Sequence, residues 1–201
     1  MDADALLMQK VKDGDDRAFD LLINRYKKPL INFVYRMVHD PALAEELAQE
    51  VFFRVYLARH RYTPSARFST WLFTVATNTT LKHLRKSKRW VREAELSGDS
   101  GDGGGALDRL GAVSGEGAFE AVEREELGIL VRQALGQLPE KEKVALTLRK
   151  YEDCSYQEIA EIMRCSVAAI KTHIHRGKLR LREILLRMER RLDPAASQRQ
   201  V

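Results

Sequence analysis

Residues 154–185 read CSYQEIAEIMRCSVAAIKTHIHRGKLRLREIL, and this stretch decides the fold of the C-terminal part of the chain. Its first part predicts a short helix, because Ser155 and Glu158 have the spacing of a capping box. A three-residue turn follows from Arg164 to Ser166, and Ser166 is suited to cap a second helix rich in Lys and Arg. Two helices joined by so short a turn, the second of them basic, are typical of a helix-turn-helix that places its second helix in the major groove of DNA.

Most of the remaining sequence has the period of an α-helix and lacks the alternation of a strand. Asp40 followed by Pro41, for example, is a cap and a first helical residue. Helices are expected after the turn at 13–15, from Asp40 and Pro41, from about Ser69 to about Arg89, over 119–138, and from Pro139. We therefore expect an all-α protein of two small helical domains joined by a flexible linker, the C-terminal domain being the helix-turn-helix.

The net charge of +5 is the sum of three blocks of different sign. Residues 1–92 hold 17 Lys and Arg against 10 Asp and Glu, a net +7, and residues 127–201 hold 15 against 9, a net +6. Residues 93–126 hold 2 against 10, a net −8. The basic blocks are expected to attract nucleic-acid phosphates and to gain free energy from released counterions, whereas the acidic block is expected to avoid DNA.

The acidic block contains SGDSGDGGG at 97–105, a composition that cannot bury enough apolar area to offset chain entropy. We expect domains at 1–92 and 125–201, with a flexible acidic linker at 93–124. The alternative is a phosphate-binding glycine loop. Such a loop is followed by Lys-Ser/Thr and preceded by a strand, and the sequence has neither.

Membrane, disulfide-rich and metal-binding classes fit the sequence poorly. No apolar run is long enough to span a bilayer and no leader is recognisable, so a cytoplasmic location is expected. The only cysteines, Cys154 and Cys165, do not suggest a disulfide framework. They also make a poor zinc set, because His173 and His175 point to different faces of a helix. Cys154 is better suited to staple the first helix against Ile159, and we expect no metal, no cofactor and no catalysis.

The third predicted helix has a polar and cationic stripe on one face. Rings stack on accessible bases, amides read base edges and cations hold phosphates, so this mixture suits melted nucleic acid. The plainer alternative is that Trp71 belongs to the core and the cations form a solvated face, but a second DNA-binding unit downstream favours the nucleic-acid interpretation. The stripe consists of Trp71, Thr74, Asn78, Lys82 and Arg85.

Several motifs together resemble a bacterial extracytoplasmic-function (ECF) sigma factor, the smallest class of the sigma-70 family. They are AEELAQEVF at 44–52, FSTWL at 68–72 with Asn78, LP at 138–139, SYQEIA at 155–160, and Lys171 with Arg176. Each motif is modest, but their order and spacing are specific. The resemblance implies a subunit that binds core RNA polymerase and directs promoter recognition, promoter melting and transcription initiation.

The resemblance assigns roles to residues of the N-terminal domain. The segment with Glu46, Gln49, Glu50, Phe52 and Arg54 matches the surface that docks on the clamp helices of the polymerase β′ subunit. Arg61 to Phe68 match the family loop that captures a flipped −10 base, and the helix after it matches the one that lies along the melted non-template strand. The residues assigned to the −10 element are Arg61, Tyr62, Arg67, Phe68, Trp71, Thr74, Asn78, Lys82 and Arg85. Extruding a base costs a few kcal/mol, which stacking and edge hydrogen bonds must offset.

In the C-terminal domain the resemblance implies binding of the −35 element, and contact with the polymerase β flap. The residues it assigns to the −35 element are Ser166, Ala168, Lys171, Thr172, His175, Arg176 and Lys178. Where the family commonly has glycine-threonine, this chain has Ala168 and Ala169, so one hydroxyl contact is missing. Gly177 replaces a common alanine and is expected to weaken its helix by up to about 1 kcal/mol.

Further partners are implied by analogy, and two other functions are kept open. An anti-sigma protein is the expected inhibitor, with promoter DNA and core polymerase as the working partners. The linker resembles a segment that enters the RNA exit channel, although a plain tether explains it equally well. The alternatives are a stand-alone helix-turn-helix regulator, which would bind duplex DNA without polymerase, and a nucleic-acid-modifying enzyme that uses the Cys and His residues.

Overall fold

The computed structural model describes residues 2–97 and 128–192, and every regular element within these ranges is helical. This confirms the predicted all-α fold. The elements are α1 (Ala3–Lys12), α2 (Asp16–Val38), α3 (Pro41–Leu57), a 3₁₀ turn (Arg59–Arg61), α4 (Phe68–Ser97), α5 (128–136), α6 (Glu140–Tyr151), α7 (Tyr156–Met163) and α8 (Val167–Leu192).

The predicted helix starts at α3, α7 and α8 are confirmed by their hydrogen bonds. Asp40 accepts from the Leu43 N–H at 3.0 Å, which satisfies a donor that has no partner within the helix. The capping box of α7 is complete: Ser155 Oγ accepts from the Glu158 N–H, and the Glu158 carboxylate accepts from the Ser155 N–H. Ser166 caps α8 through the Ala169 N–H.

Helix α1 was not predicted from the sequence. Its buried face consists of Ala5, Met8 and Val11, which lie three residues apart and share one side of a short helix. Its apolar stripe is narrow and Asp4 lies beside it, so periodicity alone gave too weak a signal. The helix is held by tertiary packing against α2 rather than by its own propensity.

The N-terminal unit is built around α2, α3 and α4, whose apolar faces form one core. Phe33 of α2 meets Phe73 of α4 edge to face, with ring centroids 5.3 Å apart. Val51 of α3 and Leu72 of α4 are fully buried in the same core. Helix α4 continues to Ser97, beyond the expected end near Arg89, so the start of the predicted linker at 93 is corrected.

Residues 98–124 of the predicted linker and residues 119–127 of the helix expected over 119–138 lie outside the described residues. Helix α5 is described from 128 and ends at 136, which is close to the expected end. Among the described residues, no helix is both long enough and apolar enough to cross a membrane.

The C-terminal unit packs α6 and α7 against α8, with Ile159, Ile170 and Ile174 buried between them. Gly177 lies where α8 crosses α6, and a Cβ at this position would come within 2.8 Å of Leu146 Cδ1. The glycine therefore has a packing role, because it lets two helices approach closely.

The two helical units pack against each other, α4 against α7 and α2 against α6. Lys88 Nζ lies 2.7 Å from the Glu140 carboxylate, and Arg67 lies 3.4 Å from the Glu158 carboxylate. Both ion pairs join the two units, one from α4 and one from the loop before it. The sequence predicted a flexible linker between two basic domains, but it gave no signal for direct contacts of this kind.

Candidate nucleic-acid interface

Helix α8 presents the predicted −35 face to solvent. Ile170 and Ile174 lie on the buried side of the helix, and the residues assigned to the −35 element lie on its exposed sides. The Thr172 hydroxyl donates to the Ala168 carbonyl at 3.0 Å and Ser166 is used as a cap, which leaves their methyl and methylene groups for contact. The exposed residues are Ser166, Ala168, Lys171, Thr172, His175, Arg176 and Lys178.

Helix α4 presents the predicted −10 stripe. Asn78, Lys82 and Arg85 are exposed, and Trp71 and Thr74 are half-buried. The Thr74 hydroxyl donates to the Thr70 carbonyl at 2.7 Å, so it is occupied within the helix. The stripe therefore offers a partly exposed indole ring, the Asn78 amide and two cations. Such a face can bind along a single strand of nucleic acid.

Two aromatic residues assigned to the −10 contact are buried instead. Tyr62 is 4% exposed and Phe68 is 0% exposed, because both rings enter the core beneath the loop. Neither ring is accessible in this conformation, so their contact with the −10 element stays a prediction. Tyr62 lies 4.9 Å from the ring of Trp71 and so supports it from below, while Arg61 and Arg67 remain exposed.

The residues assigned to the polymerase surface on α3 differ in their exposure. Glu46 and Gln49 are exposed, but Phe52 is only 8% exposed and belongs to the core. Its neighbour Phe53 is 61% exposed and lies four residues after Gln49, on the same helix face. Helical spacing could have identified Phe53. Phe52 continues the row of buried residues along the helix, and Phe53 lies outside that row.

Glu50 and Arg54 complete this face as an ion pair. The Arg54 guanidinium donates to the Glu50 carboxylate at 2.6 Å and 2.9 Å, one helical turn apart. The exposed pair contributes little to stability but fixes the orientation of both side chains. The face is therefore acidic at Glu46, neutral at the ion pair and apolar at Phe53.

Comparisons with known proteins identify the family of this chain. The sigma-70 region 2 family matches residues 22–90, and the sigma-70 region 4 family matches residues 129–181. RNA polymerase sigma-H factor of Pseudomonas aeruginosa is 34% identical over 178 residues, covering 87% of this chain and 90% of that protein. The chain belongs to the ECF sigma factors of the sigma-70 family.

Other relatives extend across most of this sigma factor. ECF RNA polymerase sigma factor SigW of Bacillus subtilis is 34% identical over 181 residues, 89% of this chain and 94% of SigW. The ECF sigma-E factor of Escherichia coli strain K12 is 30% identical over 178 residues, 87% of this chain and 90% of that protein. The chain is therefore a transcription initiation factor, and proteins of this family are not enzymes.

Two solved structures share the fold of this sigma factor. CnrH in complex with the cytosolic domain of CnrY has a TM-score of 0.67 at 21% identity, over 92% of this chain and 97% of that chain. RpoE of Bartonella quintana in complex with the anti-sigma factor NepR has a TM-score of 0.66 at 22% identity, over 83% of this chain and 96% of that chain.

Two titratable side chains near the contact between the units of the sigma factor have shifted pKa values. Burial, together with the cations of Lys143 and Arg132, lowers the pKa of His39 to about 4. Burial raises the pKa of Glu152 to about 7, against the opposing effect of Arg36. In both groups burial disfavours the charged form.

The thiol of Cys154 lies in a buried environment that suppresses its reactivity. Burial, followed by the charges of Glu158 and Glu152, raises the pKa of Cys154 to about 12, so a thiolate is strongly disfavoured. Among the described residues, no three His, Cys, Asp or Glu side chains converge as metal ligands would. Cys154 and Ile159 are both buried at the start of α7, in the positions expected for a staple.

Proposed function

We propose that the two helical units of this sigma factor divide promoter recognition between them. The exposed stripe of α4, with Asn78, Lys82 and Arg85, binds the melted non-template strand of the −10 element. The exposed face of α8 binds the −35 element in the major groove, where Lys171 and Arg176 contact phosphates or guanine edges. The observation that carries this proposal is a pair of exposed cationic faces on two separate units, in a chain of the sigma-70 family.

In this proposal α3 provides the main contact with core polymerase. Glu46 and Gln49 are exposed acid and amide groups that suit a basic coiled coil, and Phe53 adds an apolar anchor beside them. The polymerase carries out catalysis, and the sigma factor contributes specificity and strand capture. We place the protein in the cytoplasm, because its proposed binding sites are chromosomal promoters.

The packed arrangement of the units has a consequence for this function. The −10 and −35 elements are about 25 base pairs apart, or about 85 Å at 3.4 Å per base pair. The contacts of α7 with α4 hold the two units together. We propose that α7 leaves α4 when the sigma factor works on polymerase, so that the two faces can reach elements this far apart.

A protein inhibitor is a further proposed partner. Both structural neighbours described above were solved with another protein bound, and NepR is an anti-sigma factor. An inhibitor that stabilises the packed arrangement would keep the two DNA-binding faces at the wrong separation. We propose that an anti-sigma protein acts on this chain in that way.

Run-off transcription with purified core polymerase on a genomic promoter library tests the proposal. Arg176→Ala and Lys171→Ala are expected to weaken initiation that depends on the −35 element, and each to reduce the salt slope of promoter binding by about 1. Asn78→Ala is expected to impair strand opening more than core binding. Arg187→Ala, an exposed cation near the far end of α8, is the matched control.

Three results would contradict the assignment. Initiation unchanged in both α8 variants would remove the −35 role of that face. Equal loss of core binding and strand opening in Asn78→Ala would remove the −10 role of the stripe. Failure of the purified chain to bind core polymerase, together with tight binding to duplex promoters by itself, would favour a stand-alone regulator.

A further inference from the structure

Helix α1 is tied to both ends of the loop that precedes α4. Lys12 Nζ donates to the Tyr62 carbonyl at 3.3 Å, where the loop begins. At the other end, the Phe68 N–H donates to the Asp2 carboxylate at 3.1 Å. These partners are 50 and 66 residues apart in sequence, so the loop is shaped by a distant helix and not by its own residues alone.

Asp2 supplies a helix cap that the loop itself lacks. Arg67 precedes the first residue of α4, and its guanidinium has no acceptor to offer a backbone N–H. The Asp2 carboxylate accepts that bond instead and places a negative charge at the positive end of the helix dipole. The first turn of α4 is thus held by a side chain from outside the helix.

Asp4 anchors α1 to the aromatic cluster beneath the same loop. Its carboxylate accepts from the Tyr26 hydroxyl at 2.6 Å and pairs with Arg25. The Tyr26 ring meets Phe68 with centroids 5.4 Å apart, and Phe68 in turn lies 6.0 Å from Trp71. The half-exposed tryptophan therefore stands on rings whose position depends on α1.

We propose that Asp2 and Lys12 are positioning residues that hold the loop from Tyr62 to Phe68 in the shape that receives an unstacked base of the non-template strand. The inference rests on the proposed function and adds to it, because it names what organises the base-binding loop. Extruding a base costs a few kcal/mol, and a loop that is already ordered does not add its own ordering entropy to that cost. Neither residue touches the DNA; both act through the loop backbone.

Binding of single-stranded −10 oligonucleotides to the full-length chain on core polymerase tests this inference. The oligonucleotides carry an abasic site at one position at a time, so that the wild-type protein reveals which base is captured. Asp2→Ala is expected to lower affinity for the intact strand about fivefold, as for the loss of one helix cap. An abasic site at the captured position is expected to reduce the affinity of Asp2→Ala by a smaller factor than it reduces the affinity of the wild type. Lys12→Met is expected to behave like Asp2→Ala, with a lower affinity for the intact strand and a smaller effect of the abasic site.

Matched controls separate positioning from general stability. Asp15→Ala removes a cap of the same kind, since Asp15 accepts from the Ala18 N–H at 3.2 Å on α2. Lys10→Met removes an exposed lysine from the same helix as Lys12. Both controls are expected to keep the wild-type pattern of abasic losses, and melting temperatures of all four variants report any general destabilisation.

The outcomes distinguish failure of the inference from failure of the proposed function. If the wild type shows no position of large abasic loss, the loop does not capture a base and the proposed function of the loop is wrong. If the wild type shows such a position and Asp2→Ala keeps the full loss there, the positioning role is wrong. Equal changes in Asp2→Ala and Asp15→Ala would also overturn it, because a general stability effect would then explain both.

Discussion

The guanidinium of Arg36 lies over the ring of Tyr151, with Cζ 3.8 Å from the ring centroid. This contact joins α2 of the N-terminal unit to the last residue of α6 in the C-terminal unit. The ion pairs of Lys88 with Glu140 and of Arg67 with Glu158 join the same two units. Contacts of this kind are individually weak.

Arg36→Ala is expected to shift the sigma factor toward separated units. Cation–π contacts are worth about 0.5–1 kcal/mol at exposed sites, so the ratio of separated to packed molecules should rise about two- to fivefold. Single-molecule energy transfer between dyes on α1 and on the end of α8 measures that ratio. Arg17→Ala, at an exposed arginine near the start of α2, is the control and should leave it unchanged.

Packing of the units is expected to depend on pH in two opposite ways. The pKa of His39 falls from its ordinary 6.5 to about 4, chiefly through burial and then through Lys143 and Arg132. Its contribution to packing is therefore complete above pH 6.5 and is lost as the pH falls toward 4. The pKa of Glu152 rises from 4.5 to about 7 through burial, so its contribution is complete below pH 4.5 and is lost as the pH rises toward 7.

Single variants should reveal each of these two effects alone. In Glu152→Gln, only the histidine effect remains, so lowering the pH from 7 to 5 should separate the units. In His39→Gln, the same change of pH should bring the units closer together. Energy transfer between the units measures both, and wild-type behaviour in both variants would show that neither group titrates in the interface.

Gly177→Ala is expected to destabilise the C-terminal unit, although alanine is the better helix former. Helix propensity favours the substitution by about 1 kcal/mol. The new Cβ, however, would lie 2.8 Å from Leu146 Cδ1 and 3.3 Å from Glu142 Cβ, and overpacking typically costs about 1–3 kcal/mol. Denaturant unfolding should therefore give a net loss of about 1 kcal/mol.

The same position offers an internal control. In a Leu146→Ala background the obstructing side chain is gone, so adding Gly177→Ala should become neutral or stabilising relative to that background. The double-mutant cycle would then show a coupling of about 1 kcal/mol or more. Additive effects of the two substitutions would mean that Gly177 has no packing role.

Phe53→Ala is expected to change mainly the binding of core polymerase, and Phe52→Ala mainly the stability of the fold. Phe53 is exposed, so its removal should weaken association with core polymerase while the melting temperature changes little. Phe52 is buried, and its removal should cost about 3–5 kcal/mol of stability. A competition assay for core polymerase and thermal unfolding, applied to both variants, check this; unchanged core affinity in Phe53→Ala would remove it from the docking face.

Features that depend on neighbours along the chain could be predicted from the amino-acid sequence. The capping box of Ser155 and Glu158, the cap at Asp40, the short turn before α8 and the exposed stripe of α4 all follow from spacing within a few residues. Helix geometry makes such spacings equivalent to contacts, so they can be recognised without a structure. The family motifs are local in the same sense.

The burial of individual aromatic rings and the contacts between distant elements could not be predicted in this way. Phe68 and Tyr62 looked like DNA contacts and lie in the core, whereas Phe53 is exposed. The ties from Asp2 and Lys12 to the loop, and the contact of Arg36 with Tyr151, join residues far apart in the chain. Contacts of that kind depend on how helices pack, and packing is set by the shape of the whole core, which short-range periodicity does not encode.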